Sequence, residues 1–418
     1  MKSAKVIGAG FTGTMTAYLL SHQGYDVTVY DPAPRLGGLI STQSLPHGDF
    51  ETAANGFLAN SWIEEVAHTI GIKLTPVSRV AKKNRYLWSM DPRKSGPQKW
   101  PLTFFETLGF ALRLSWKLLT RDAAPRPLET LEHWGKRVLG KPATQKILET
   151  AVLGIYASPL SELSASLVVG RFFKKGPKPK RPKLRGTVAP EKGMGQWFTQ
   201  MRTYLEERGV KFIQSSHPAL QEVQTPTWIC TSAPDAAALL ERLAPDLAQK
   251  LGSIRMLPVV SVAQFFRSEI APPSSVLSGF GCLFHPRSGF QSLGVLWSSD
   301  LFPHRFDSNT RAETWILGGK VRPEVMDLSD EELLKKIRED RARLFRFHST
   351  ESGDAKSSHD QITRWQKAFP LYDVELEKTL ESLPTPPPGV RLCGNYLGNL
   401  GLSQIALELK TSSQDWNT

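Results

Sequence analysis

The chain has 418 residues, 40% hydrophobic and 22% charged, which is the balance of an ordinary folded protein and excludes a disordered one; its length leaves room for two or three domains. A formal net charge of +12 and a pI near 9.5 favour an anionic partner: a membrane surface, nucleic acid or a carboxylate-rich small molecule. The three cysteines, Cys230, Cys282 and Cys393, lie far apart without CxxC spacing, so neither a disulfide framework nor a metal site is expected, and a reducing compartment fits.

The opening "MKSAKVIGAG" leads directly into structure, and no signal or transit peptide is expected. Residues 4–20 read as strand, glycine turn and helix, and "DVTVYD" (Asp26 to Asp31) as the next strand, which makes a βαβ unit. Within it Gly8, Gly10 and Gly13 have GxGxxG spacing. Such glycines allow a tight turn, close backbone approach to a pyrophosphate and a helix N-terminus aimed at the phosphates. Asp31, about 20 residues on at the end of the second strand, is placed to accept ribose hydroxyls. A dinucleotide is therefore the expected ligand, with Phe11 and Thr12 of the turn beside it.

From about 100 to 165 the pattern is helical. Residues 101 to 120 form its most apolar stretch, yet Glu106, Arg113 and Lys117 make it a poor bilayer span. Its wide apolar arc, with Trp116, Arg113 and Lys117 suited to a headgroup interface, fits either a membrane-surface helix or a buried core helix. The basic loop Lys174 to Arg185 would attract anionic lipid by ~1 kcal/mol per charge near the surface, or would simply be a solvated loop. It has no interleaved aromatics, and nucleic acid is not an expected partner.

A second α/β stretch follows, with a helix over "GQWFTQMRTYLEERG", a strand near "VKFIQ" and then "TWICTSAPDAAALLERL". Residues 255 to 320 have the alternation of an antiparallel sheet, and Ser329 to Glu332 the spacing of a capping box. "LPTPPPG" is a stiff linker into Val390 to Asn395, expected to be a last strand lying beside the strand that carries Gly8. A glycine turn and a helix starting near Leu400 to Ser403 complete the chain. His285 and His304 are read as structural.

Several stretches, in order, resemble the FAD-dependent amine oxidase superfamily and, within it, the protoporphyrinogen/coproporphyrinogen oxidase family of haem biosynthesis. "DPAPRLGGLI", with Arg35, Gly37 and Gly38, resembles the second glycine motif of the superfamily. "KKNRYLW", "LETAVLGIYASPLSELSA", "GFGCLFHP", "LGVLWSSDLFPHR", "WILGG", "RWQKAFPLY" and the closing "CGNYLGNLGLSQIALE" are similar to stretches of the oxidase family. Asp31 stands where that family more often has Glu.

The resemblance implies an α/β (α+β) fold. An FAD-binding Rossmann-like domain is assembled from three segments, residues 1–75, 186–252 and 385–418. Residues 76–185 are a helical, membrane-associated insert, and residues 253–384 a substrate-binding antiparallel sheet domain. It implies FAD held by Gly8, Gly10, Phe11, Thr12, Gly13, Asp31, Arg35, Gly37, Gly38, Gly394, Asn395, Gly401, Leu402 and Ser403. It also implies a porphyrinogen substrate near Arg85, Gly154, Ala157, Phe280, Leu283 and Ile316. Arg85 would hold a propionate, the flavin would take hydride without a protein acid/base pair, and oxygen would regenerate it with release of hydrogen peroxide. The expected location is cytoplasmic, peripheral on the inner membrane. An amine or polyene oxidase of the same fold, and a flavoprotein without turnover, are the competing readings.

Overall fold

A computed structural model describes residues 2–91, 95–173, 180–216, 219–267, 277–345 and 357–416. At its centre is a parallel sheet of five strands in the order Lys211–Gln214, Asp26–Asp31, Ser3–Ile7, Thr227–Ile229 and Val390–Leu392. A parallel sheet must be covered on both faces. The helices Phe11–His22, Met194–Glu207 and Leu402–Ser412 cover one face through Met15, Trp197, Met201 and Ile405. The helices Ala233–Leu240 and Pro245–Gly252 cover the other with Ala233, Leu240, Leu247 and Leu251.

The last strand does not lie beside the Gly8 strand as its sequence suggested. It pairs with Thr227–Ile229, which stands between the two. The physical reason is burial: Thr227–Ile229 is buried at every position and takes the inner place, whereas Arg391 and Leu392 remain half-buried at the edge.

The second sheet has seven strands, in the order His359–Pro370, Met256–Arg267, Thr310–Gly318, Gly294–Leu296, Gly281–Leu283, Arg85–Ser89 and Gly96–Gln98. It is mixed rather than purely antiparallel, because Arg85–Ser89, arriving from a distant part of the chain, runs parallel to Gly281–Leu283. Alternation reports which residues share a face and is silent on strand direction.

One face of this sheet is closed. Trp88, Val260, Val262, Phe284, Val295, Trp315 and Leu317 pack with Leu333, Ile337, Leu344 and Phe345 of the helix Asp330–Phe345. That helix starts at the expected capping box, where Ser329 Oγ accepts from the Glu332 amide and Glu332 Oε2 accepts from the Ser329 amide. Under it Glu313, fully buried, accepts from Arg311 Nε at 3.1 Å and Arg341 Nε at 3.0 Å.

The opposite face is open enough to receive something. Its register sets Leu87, Leu283, Gly294, Ile316, Ser261 and Thr363 in one row across six strands. Apart from Gly294, these residues are only partly buried.

Residues 104–172 are mainly helical. The helix Phe104–Leu119 begins with a capping box between Thr103 and Glu106 and buries none of its residues. Phe104, Phe105 and Leu119 are 76%, 81% and 78% exposed. The buried-core reading of this helix is thereby excluded. Among the described residues no helix is long and apolar enough to cross a membrane. Residues 174–179 of the basic loop lie outside the described residues.

Candidate active site

The parallel strands end on a cavity of about 850 Å³. Ligands of open α/β sheets bind at that carboxyl edge. The first wall is the turn after Ser3–Ile7. Gly8 has φ +100°, and a Cβ on Gly13 would stand 1.8 Å from the Gly8 carbonyl oxygen. The helix Phe11–His22 can therefore begin flush against the turn. No side chain caps it, and Gly10, Phe11 and Thr12 line the cavity where first-turn N–H groups have no intrahelical acceptor.

Gly37 and Gly38, both at positive φ, lie against this turn: the Gly37 amide donates to the Ala9 carbonyl at 2.9 Å. Both glycines line the cavity. Arg35 does not. Its guanidinium donates to the carbonyls of Gly38, Ile40 and Leu36 at 2.9, 3.2 and 3.4 Å, so it braces the loop from behind.

Asp31 lines the cavity, with Oδ2 accepting from the Ala9 amide at 2.6 Å and Oδ1 from the Ala33 amide at 2.8 Å. Each carboxylate oxygen keeps a lone pair for a hydroxyl.

The third segment contributes Gly394, Asn395 and Leu402 to the wall. The Asn395 carbonyl is held by the Tyr372 hydroxyl, which donates to it at 2.6 Å. Burial pushes the Tyr372 phenol well above its ordinary pKa, which keeps that donor protonated. Gly401 and Ser403 do not line the cavity, and the Ser403 hydroxyl turns away to the Leu58 carbonyl at 2.6 Å. Gly13 likewise serves packing between helix and turn.

Sequence reasoning missed Ala53, Ala54, Ser215, Thr231, Ser232, Asp235, Gln366 and Lys367, all of which line the cavity. Ser215 immediately follows one strand of the parallel sheet, and Thr231 and Ser232 follow the end of another after one intervening residue, so the carboxyl-edge rule could have found them.

The residues read as substrate-binding form a second group outside the walls of this cavity. Arg85 and Phe280 stand together, the guanidinium carbon 4.1 Å from the ring centroid. Among the described residues no carboxylate lies within ion-pair distance of Arg85, and burial lowers its pKa from the ordinary arginine value. Leu283 and Ile316 belong to the open row of the second sheet. Gly154, on the helix Glu149–Tyr156, lets that helix rest on the row, since a Cβ there would stand 2.4 Å from Leu283 Cδ2. Ala157 ends the helix in left-handed conformation (φ 50°), and its carbonyl accepts from the Lys320 amide at 2.8 Å. Gly154 and Ala157 thus shape the edge of the face.

An uncapped helix, a turn in which Gly8, Gly13 and Gly37 leave no room for a Cβ, and an acid at the second strand end fit a dinucleotide with two phosphates. Comparison with known proteins agrees. Residues 6–69 match the NAD(P)-binding Rossmann-like domain model, and residues 223–404 the model for flavin containing amine oxidoreductases. Protoporphyrinogen oxidase 1 of spinach chloroplasts is 24% identical over 96% of this chain and 81% of its own length. The rice chloroplast protoporphyrinogen oxidase is 25% identical over 80% and 73%. An Exiguobacterium structure described as a protoporphyrinogen oxidase aligns over 99% of this chain and 98% of its own, with TM-score 0.76 and 16% identity. Putrescine oxidase bound to putrescine aligns over 99% and 98%, with TM-score 0.72 and 12% identity.

Fold and cavity thus fit a dinucleotide-binding protein with a second, separate sheet. The chain resembles the FAD-dependent amine oxidases and, among them, the protoporphyrinogen oxidases; it is an FAD-dependent oxidoreductase and takes FAD as its cofactor.

Proposed function

We propose that the chain oxidises a porphyrinogen, protoporphyrinogen IX or coproporphyrinogen III, to the porphyrin. The observation that carries this reading is the open apolar row Leu87–Leu283–Ile316 flanked by Arg85, a cation stacked on Phe280 with no counter-ion among the described residues. A flat apolar macrocycle with peripheral carboxylates is complementary to such a face. The likeness to plant protoporphyrinogen oxidases along nearly the whole chain supports it.

FAD would be held by Gly8, Gly10, Phe11 and Thr12 at its pyrophosphate, by Asp31 at its ribose and by Gly37, Gly38, Gly394, Asn395 and Leu402 along its length. Bound FAD supplies the hydride acceptor and its reoxidation by oxygen, so one porphyrinogen and three oxygen molecules yield one porphyrin and three hydrogen peroxide molecules. The protein's part is to orient the ring, to anchor a propionate at Arg85 and to keep the apolar face dry. Arg85→Ala should raise the apparent KM for the porphyrinogen about tenfold with FAD content unchanged, the loss expected for one charged hydrogen-bonded contact. An unchanged KM would remove Arg85 from the site.

We also propose that the helix Phe104–Leu119, apolar and exposed, seats the protein on a membrane surface from the cytoplasmic side. Lipid would then deliver a substrate of low solubility.

The structural likeness to putrescine oxidase makes amines the competing substrate class. An aerobic assay separates them: porphyrin fluorescence rising above autoxidation with either porphyrinogen, and no peroxide from putrescine or other amines, is the expected result. Peroxide from amines without porphyrin formation would overturn the porphyrinogen reading.

A further inference from the structure

The second sheet carries an irregularity that bears on the cofactor. The strands Met256–Arg267 and His359–Pro370 pair at Leu257 with Phe369 and again at Val259 with Trp365, so a two-residue step on one opposes a four-residue step on the other. The surplus falls on Gln366, Lys367 and Ala368, and all three line the dinucleotide cavity. Bulges of this kind re-aim side chains and cluster beside active sites.

The position of the bulge along the cavity follows from its neighbours. Trp365 Nε1 donates to the Thr52 carbonyl at 2.9 Å, next to Ala53 and Ala54, and the strand packs on the Asn395–Leu397 turn. Asp31 belongs to the far side of the five-stranded sheet, three strands away from the one that leads to Asn395. The bulge therefore borders the end of the cavity opposite the ribose acid. Among the described residues of the wall the ionisable carboxylates are Asp31 and Asp235, and Lys367 is the one lysine or arginine. Among the described residues no carboxylate lies within ion-pair distance of its ammonium group.

We infer that Lys367 supplies the positive charge that stabilises the flavin ring when reduction makes it anionic. The inference rests on the reading that FAD lies with its ribose at Asp31 and its ring at the Asn395 end. Hydride transfer brings two electrons and one proton to the neutral ring and leaves one net negative charge on it. A cation at the same end of a largely apolar cavity favours that product over the oxidised form. The helix N-terminus at Leu402 borders the same end, and its dipole adds to the effect.

The test uses the full-length, FAD-loaded protein and two variants, Lys367→Met and Lys367→Arg, compared by flavin midpoint potential and by sulfite titration. Sulfite adds to the oxidised ring and places the same negative charge on it without any substrate. Lys367→Met should weaken sulfite binding at least tenfold. A tenfold loss in the preference for reduced flavin corresponds to a potential lower by about 30 mV for a two-electron couple. Lys367→Arg should keep both values near wild type. Unchanged potential and sulfite affinity in Lys367→Met overturn the inference. That includes the case in which only the porphyrinogen KM rises, where the lysine serves a substrate carboxylate, and the case in which only FAD affinity falls, where it serves a phosphate. A wild-type protein that binds no FAD would instead defeat the cofactor placement on which the inference rests.

Discussion

Gly13 tolerates no side chain, because a Cβ there would stand 1.8 Å from the Gly8 carbonyl oxygen. Gly13→Ala must push the helix off the turn and move the first-turn amides that would meet the pyrophosphate. Protein carrying this change should be recovered with little or no flavin, read as FAD absorbance per mole of protein; full occupancy would contradict the cradle. This much was legible in the spacing of three glycines. Arg35 was not. Its proximity to the second glycine loop could be read from the sequence, whereas its direction depends on three carbonyls that point at it only once the loop has closed. Ser403 failed for the same reason: its hydroxyl had two directions to choose from, and the Leu58 carbonyl takes it.

At the scale of elements, the helix Asp330–Phe345 is joined to the second sheet by an ionic trio as well as by apolar packing. Burial alone would raise the pKa of Glu313, but the Arg341 and Arg311 guanidiniums outweigh it and hold the carboxyl below its ordinary value. A depressed folded-state pKa means that the trio's stabilisation is present above the unfolded carboxyl range and is lost as pH falls through the folded pKa. Glu313→Gln removes the buried carboxylate charge shared by Arg311 and Arg341 and should cost about 3–5 kcal/mol at neutral pH. The cost should shrink toward acid, as measured by denaturant unfolding at a series of pH values. A cost that does not change with pH would show that the carboxylate charge contributes nothing. Alternation marked residues 255–320, the span that holds four of the seven strands of this sheet, and Ser329 to Glu332 announced the helix start. Neither the parallel entry of Arg85–Ser89 nor the bulge at Gln366–Ala368 has a local signature. Both are decided by partners far away in the chain.

For the whole molecule, nucleotide-domain-like stretches at the beginning, middle and end of the chain implied a cofactor domain assembled from separated segments, and the five-stranded sheet draws its strands from all three. Which strand stands between the first and the last was not readable, because short apolar strands differ little until burial ranks them. The exposed helix Phe104–Leu119 makes a prediction at this scale. A triple variant, Phe105→Ser, Leu112→Ser and Leu119→Ser, should lose most co-sedimentation with anionic phospholipid vesicles while keeping FAD and soluble porphyrinogen turnover. Retained vesicle binding would remove the helix from the membrane contact.

A porphyrinogen oxidase of this fold must pass electrons from its porphyrinogen directly to the flavin. Anaerobic mixing of the FAD-loaded protein with protoporphyrinogen IX or coproporphyrinogen III in a stopped-flow spectrometer tests it most directly. The expected result is bleaching of the flavin absorbance together with growth of the porphyrin band, at a rate that saturates with porphyrinogen concentration. A flavin band that stays oxidised with both porphyrinogens, yet bleaches with dithionite, would contradict it.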